Sequence, residues 1–188
     1  MRQVRRASST SSARRLTVAV VLVVAGVLFA GGSAWAHVEI EPESLPKGAT
    51  TTFSFRVPNE EQNASTVKLD VFFPAKFPIA DVLVQQKPGW TFQVQTRHLS
   101  KPIKTDDGSF SDVVTQVTWS GGQILPGAFD LFTVFGGPLP TNTNKIVFKA
   151  LQTYSDGTVV RWIETPTKGA PAPDNPAPTL ILTKPQKG

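Results

Sequence analysis

Two stretches near the middle of the first half decide the fold: Thr51-Thr52-Phe53-Ser54-Phe55-Arg56-Val57 and, a few residues on, Val67-Lys68-Leu69-Asp70-Val71-Phe72-Phe73. Thr51, Phe53, Phe55 and Val57 recur at every second position, and so do Val67, Leu69, Val71 and Phe73. A period of two puts each set on one face of an extended strand, with the residues between on the other. Working outward, short alternating or β-branched segments repeat along the chain. They predict strands at 38–41, 50–57, 66–73, 81–86, 91–98, 112–119, 129–135, 145–154, 158–164 and 179–183. No segment sustains a 3.6-residue period, so the expectation is an all-β sandwich.

Turn residues punctuate these segments. Ser155-Asp156-Gly157 predicts a tight hairpin joining the strand that ends at Tyr154 to the one that begins at Thr158, with Gly157 free to take a positive φ. Pro88-Gly89, Asp106-Asp107-Gly108, Gly121-Gly122, Pro126-Gly127 and Gly136-Gly137-Pro138 mark other connections. None of these glycines precedes a helix that could cradle a phosphate. From Thr165 to Pro178 the chain is rich in proline and alanine and reads as an extended arm. The expected organisation is a leader over 1–36, a sandwich over 37–165, and over 166–188 the arm, one last short strand and a polar tail.

Charge separates the leader from the rest. The 188-residue chain has 19 Lys and Arg against 14 Asp and Glu, a net +5. Arg2, Arg5, Arg6, Arg14 and Arg15 supply that excess, and no acidic residue lies among them. Downstream the charges balance, which removes the usual reason to expect a nucleic-acid partner. Leu16 to Ala30 is apolar apart from Thr17 and is shorter than the roughly 20 residues of a membrane span. Small residues and the Ala34-Trp35-Ala36 motif follow it. The pattern is that of a secretory signal peptide cut after Ala36, and it predicts a secreted or cell-surface protein with no membrane span after processing.

Such a cut would make His37 the first residue. A terminal histidine can chelate one metal ion through its α-amine and its ring Nδ1, and an amine pKa of about 7.7–8.0 makes deprotonation easy near neutrality. Nitrogen ligands of this kind suit Cu(II). Cysteine is absent and Met1 is the only methionine, so disulfides, thiolate catalysis and soft sulfur ligands are excluded. The other histidine, His98, lies beside Arg97 near a strand end and reads as a surface residue. No nucleophile elbow supports a serine hydrolase. Glu39, Glu41 and Glu43 alternate and read as one solvated face, and among the carboxylates nothing selects a glycosidase pair.

Several longer motifs carry a resemblance. They are His37-Val38 directly after the Ala-x-Ala site, Phe55-Arg56-Val57-Pro58-Asn59-Glu60, Pro88-Gly89-Trp90, Val117-Thr118-Trp119, and the run FKALQTYSDGTVVRWIE over 148–164. Together they resemble the YcnI-like family of secreted or membrane-associated bacterial copper-binding proteins, over essentially the whole mature chain. The resemblance implies an immunoglobulin- or cupredoxin-like β-sandwich holding one Cu(II) per chain by a monohistidine brace. The ligands it implies are the amine and Nδ1 of the terminal histidine, a glutamate, and a tryptophan packed at the metal. His37 and Trp162 match these directly; Glu60 is the choice for the carboxylate, with Asp70, Glu61 and Glu164 as alternatives. A role as a non-enzymatic chaperone or buffer in copper homeostasis is implied, with a copper-importing membrane protein as partner. Two other readings stand beside it. A copper oxidase or oxygenase would need a second histidine, for which His98 is the candidate, and a metal-free cell-surface module would take up no copper.

Overall fold

The alternating segments become strands because each has one face that must leave water. The computed structural model describes residues 37–106 and 108–185; the leader expected over 1–36 lies outside them. Among the described residues there are twelve strands and no helix. The strands are β1 (Glu39–Glu41), β2 (Ser44–Pro46), β3 (Thr51–Pro58), β4 (Thr66–Phe72), β5 (Asp81–Val84) and β6 (Thr91–Thr105). They continue as β7 (Gly108–Ile124), β8 (Phe129–Gly137), β9 (Lys145–Val147), β10 (Lys149–Tyr154), β11 (Val159–Trp162) and β12 (Thr179–Thr183).

A four-stranded sheet in the order β1-β3-β8-β5 packs against a five-stranded sheet in the order β11-β10-β4-β7-β6. Phe53 and Phe55 from the first sheet meet Phe148 at ring distances of 5.9 and 5.2 Å, and Trp119 from the second meets Phe132 at 5.3 Å. All five are essentially free of solvent contact, as are Leu69, Val71 and Val117. Burying each such side chain contributes roughly 1.5–3 kcal/mol, so this layer is the main driving force.

The inward parity of β3 is the expected one: Phe53, Phe55 and Val57 are buried. On β4 the pattern slips at one end. A register shift between Thr66 and Lys68 turns Thr66 into the interior and leaves Val67 half-buried. The segment expected as one strand over 145–154 is bent at Phe148. Its first part, β9, pairs with β12 in a third, three-stranded sheet that β2 completes on the other side of β12, while β10 belongs to the five-stranded sheet. Ile146, Phe148 and Ala150 stay buried across the bend, so the strand changes sheet without changing its inward face. The short β2 was not expected from the sequence, whose alternation is too brief there. The expected last strand is β12, and its Leu180 and Leu182 enter the same core as the sandwich.

Two local devices fix the loops near the candidate site. In the hairpin turn Gly157 adopts a φ of +88° and its N–H reaches the Tyr154 carbonyl at 3.0 Å. The Thr158 N–H at 2.9 Å holds the Asp156 carboxyl below its ordinary range. After β3, Asn59 is buried and its Nδ2 donates to the carbonyls of Ala64 and Ile124, both at 2.9 Å. Its Oδ1 accepts from the Glu61 N–H at 3.0 Å. Replacing Asn59 with Ala strands two buried carbonyls, and about 1–3 kcal/mol should be lost for each one left without a partner. Urea unfolding of the two proteins side by side measures this; equal midpoints would contradict it.

Candidate metal centre

Trp162 is the last residue of β11 and pairs with Ala150 of β10 in antiparallel register, with Gln152 opposite Val160 two residues away. Trp162 and Gln152 both face inward, and Gln152 has no solvent contact. A buried amide must satisfy all its polar atoms, and this one does. Its Oε1 accepts from the indole Nε1–H of Trp162 at 3.0 Å, while its Nε2 donates to the Pro58 carbonyl and to Thr66 Oγ1, both at 2.8 Å. The inward turn of Thr66 on β4 is what places that hydroxyl. The indole N–H is therefore committed to Gln152, and the residue as a whole is buried. His37 is the aromatic partner of its ring, with ring centroids 5.8 Å apart and planes inclined at 63°.

His37 is delivered by β1, which pairs with β3 through Glu39–Arg56, Ile40–Phe55 and Glu41–Ser54. Val38 and Ile40 are buried and pin the strand. Continuing the register two residues toward the start sets His37 opposite Pro58, the residue whose carbonyl Gln152 holds. β1 and β11 are the outer strands of their two sheets, so His37 and Trp162 meet along one open side of the sandwich. A cleft of about 250 Å³ opens beside His37 and is not lined by Trp162: His37, Glu39 and Glu43 contribute one wall and Pro176, Thr179 and Ile181, leading into β12, the other. The second wall is held in place where the proline-rich arm returns: Ala177 N–H reaches the Glu164 carbonyl at 2.7 Å, and Glu164 N–H reaches the Asn175 carbonyl at 3.0 Å.

The candidate carboxylates fall in different places. Glu60 stands exposed two residues beyond Pro58, at the exit of β3. Glu60 and its exposed neighbour Glu61 both lie near the phenol of Tyr154, at the hairpin-turn end of β10. Asp70 is buried on the opposite face of β4 from Leu69 and Val71, held by Lys68 Nζ at 2.8 Å, Thr118 Oγ1 at 2.6 Å and Gln116 Nε2 at 3.0 Å. It therefore points away from the layer that contains Trp162. The Glu164 carboxylate accepts the Asn175 N–H at 3.2 Å. Glu39 and Glu41 are both paired with Arg56, the latter at 2.7 Å. Glu43 shares the cleft with His37, a position that the row read as a solvated face gave no hint of. Among the described residues no three His, Cys, Asp or Glu side chains are grouped as a metal cluster.

His98 lies elsewhere. It sits on β6 with its Nδ1 3.1 Å from Asp112 Oδ1. β6 and β11 are the two outer strands of the five-stranded sheet, four strand spacings or about 19 Å apart. The two histidines do not converge on one ion.

Tyr154 is the only tyrosine of the chain, and it reports on this region. Burial first, and then the nearby Glu61 and Glu60 carboxylates, push its phenol up from about 10 to about 12. The folded state thus keeps a proton that the unfolded chain releases above pH 10. Stability is full below pH 10 and falls as pH rises from 10 through 12. An ultraviolet titration should show the phenol ionising near 12 in the folded protein and near 10 in urea. Coincident curves would contradict the placement.

Similarity to other proteins identifies the family and the fold. Residues 37–182 match the family described as a domain of unknown function, DUF1775. The copper-binding protein CutI of Bacillus subtilis (strain 168) is 33% identical over 145 residues, which is 74% of this chain. The match spans 61% of that curated relative's length. A crystal structure of an uncharacterized protein from Nocardia farcinica, described as having an immunoglobulin-like fold, superposes with a TM-score of 0.64 at 32% identity. It covers 79% of this chain and 99% of its own. The sandwich is accordingly immunoglobulin-like, and the chain belongs to the DUF1775 family, the YcnI-like family that its motifs resemble.

Proposed function

We propose that the processed protein begins at His37 and is a secreted carrier or buffer for one Cu(II) ion. The ion is held by the α-amine and Nδ1 of His37 and by a carboxylate, with the face of Trp162 against it. The observation that carries this reading is the contact between His37 and Trp162, with the indole N–H turned inward onto Gln152. An indole held in that way meets a cation through its ring rather than as a nitrogen ligand, and it screens one side from water. CutI, named as a copper-binding protein, supports the choice of metal. Two nitrogens and an oxygen form the tetragonal set that cupric ion prefers. The exchange partner in this reading is a copper-importing membrane protein, and the protein itself turns over no substrate. A two-histidine oxidase is disfavoured by the separation of His37 and His98.

The carboxylate is Glu60 by its motif, and Glu43 is the alternative that the cleft supports. Charge-neutral variants separate them. Glu60→Gln should weaken Cu(II) binding by roughly the 10–100-fold that a supporting partner commands, or more if it ligates directly, while Glu43→Gln leaves binding unchanged. Competition with a chromogenic chelator measures both, and the reverse order would move the ligand to Glu43. Trp162→Phe should keep the stoichiometry and shift the ligand-field absorption; an unchanged spectrum would assign the indole to the core alone.

A further inference from the structure

The edge of the five-stranded sheet on the side away from His37 is β6, and one short part of it is unlike the rest. Exposed edges are normally blunted by charge, proline or a bulge, because their free N–H and C=O groups template pairing with another chain. The distal part of β6 is protected in this way by Arg97, Lys101, Pro102 and Lys104. Residues 91–95 (TFQVQ) contain neither charge nor proline and are all exposed. The window is bounded before Thr91 by the turn in which Trp90 N–H reaches the Lys87 carbonyl at 3.1 Å, and after Gln95 by a shift in register against β7. Within it, alternate residues direct their backbone hydrogen-bonding groups away from β7.

Its inner face is unfinished as well. Phe92 is paired with Trp119 and Val94 with Val117, both of which are buried in the core. The apolar layer thus continues from β7 onto Phe92 and Val94 and stops there, with each 40% exposed. The sequence is self-complementary about its midpoint. An antiparallel copy turned about Gln93 sets Phe92 against Val94, Thr91 against Gln95, and Gln93 against itself. Apolar residues meet on the inner face and polar ones on the outer. Beyond the window the pairing ends, at the turn before Thr91 and at the register shift after Gln95.

We propose that residues 91–95 of β6 are a homodimerisation edge, paired antiparallel with the same residues of a second copy about a twofold axis through Gln93. The two five-stranded sheets then become one, and the two His37 clefts lie at its far ends, open to their own partners. Five residues a side form a contact in the small class, under about 1,200 Å², so the dimer is reversible and concentration-dependent.

A chain without cysteine makes the register directly testable. Gln93→Cys places two thiols on opposed residues whose Cα atoms are about 4.5–5.5 Å apart, within the disulfide range. Phe92→Cys and Val94→Cys lie diagonally from their own images, about 7–8 Å away, and oppose each other instead. Under diamide oxidation, Gln93→Cys should give several-fold more covalent dimer than either of the other two alone, and a mixture of those two should cross-link with each other. Sedimentation equilibrium of the processed native protein should show a dimer that Val94→Lys abolishes. Equal cross-linking at all three positions, a maximum at Val94→Cys alone, or a native protein that stays monomeric at every concentration would overturn the proposal.

Discussion

Extending the chain by one residue ahead of His37 is expected to abolish tight Cu(II) binding while leaving the fold untouched. The extra residue converts the α-amine into an amide, whose nitrogen does not deprotonate near neutrality and so leaves the chelate with the imidazole alone. Even partners outside a ligand set change metal affinity by about 10–100-fold, so loss of a ligand that closes a chelate ring is expected at the top of that range or beyond it. The fold is insulated because Val38 and Ile40, which anchor β1, are unchanged. A pH signature accompanies the loss. In the native form the amine must shed a proton to bind, so affinity should fall about tenfold over the first pH unit below about 7.7. The extended form, which has an amide at that position, should lack this slope. A native protein whose affinity is flat over that interval would mean that the amine is not a ligand.

The second large effect is expected at Gln152. Replacing it with Leu keeps the volume and removes the amide, which strands the indole N–H of Trp162 and the Pro58 carbonyl in the interior. At about 1–3 kcal/mol for each buried group left without a partner, the variant should be less stable by about 2–6 kcal/mol. That is a large share of a typical domain's total stability. The site should suffer too. Gln152 ties the strand end opposite His37 to the ring that His37 meets, so the copper spectrum of the folded variant should broaden or split as the indole gains freedom. Thr66→Val offers a milder companion, since it removes one partner of the Gln152 amide and leaves the indole held. A Gln152→Leu protein with native stability would show that the network is incidental.

Much of this architecture is legible in the alternation of apolar residues, because a sandwich has one dry face per strand and Phe53, Phe55, Leu69 and Val71 mark it. The hairpin at 155–157 is legible for a different reason: Gly157 is needed for its positive φ. What the sequence does not disclose depends on contacts between segments distant in the chain. Val67 has the right parity for the core, yet a register shift sends Thr66 inward instead, and a slip of one residue leaves no trace in a hydropathy pattern. Phe148 gives no sign that its strand changes sheets. Within the candidate site, His37 and Trp162 can be named from motif and position, but Gln152 cannot. A glutamine inside an alternating strand reads as an outward polar residue until the indole, the Pro58 carbonyl and Thr66 are seen around it. Glu43 is equally hidden, since its place beside His37 is made by the returning arm around Pro176.

Copper titration of the protein processed to begin at His37, followed by electron paramagnetic resonance, tests the central claim most directly. The expected result is uptake of one Cu(II) per chain, with a single axial signal coupled to two nitrogens from the amine and the imidazole. Uptake without a fixed stoichiometry, or the same signal from a chain extended ahead of His37, would contradict it.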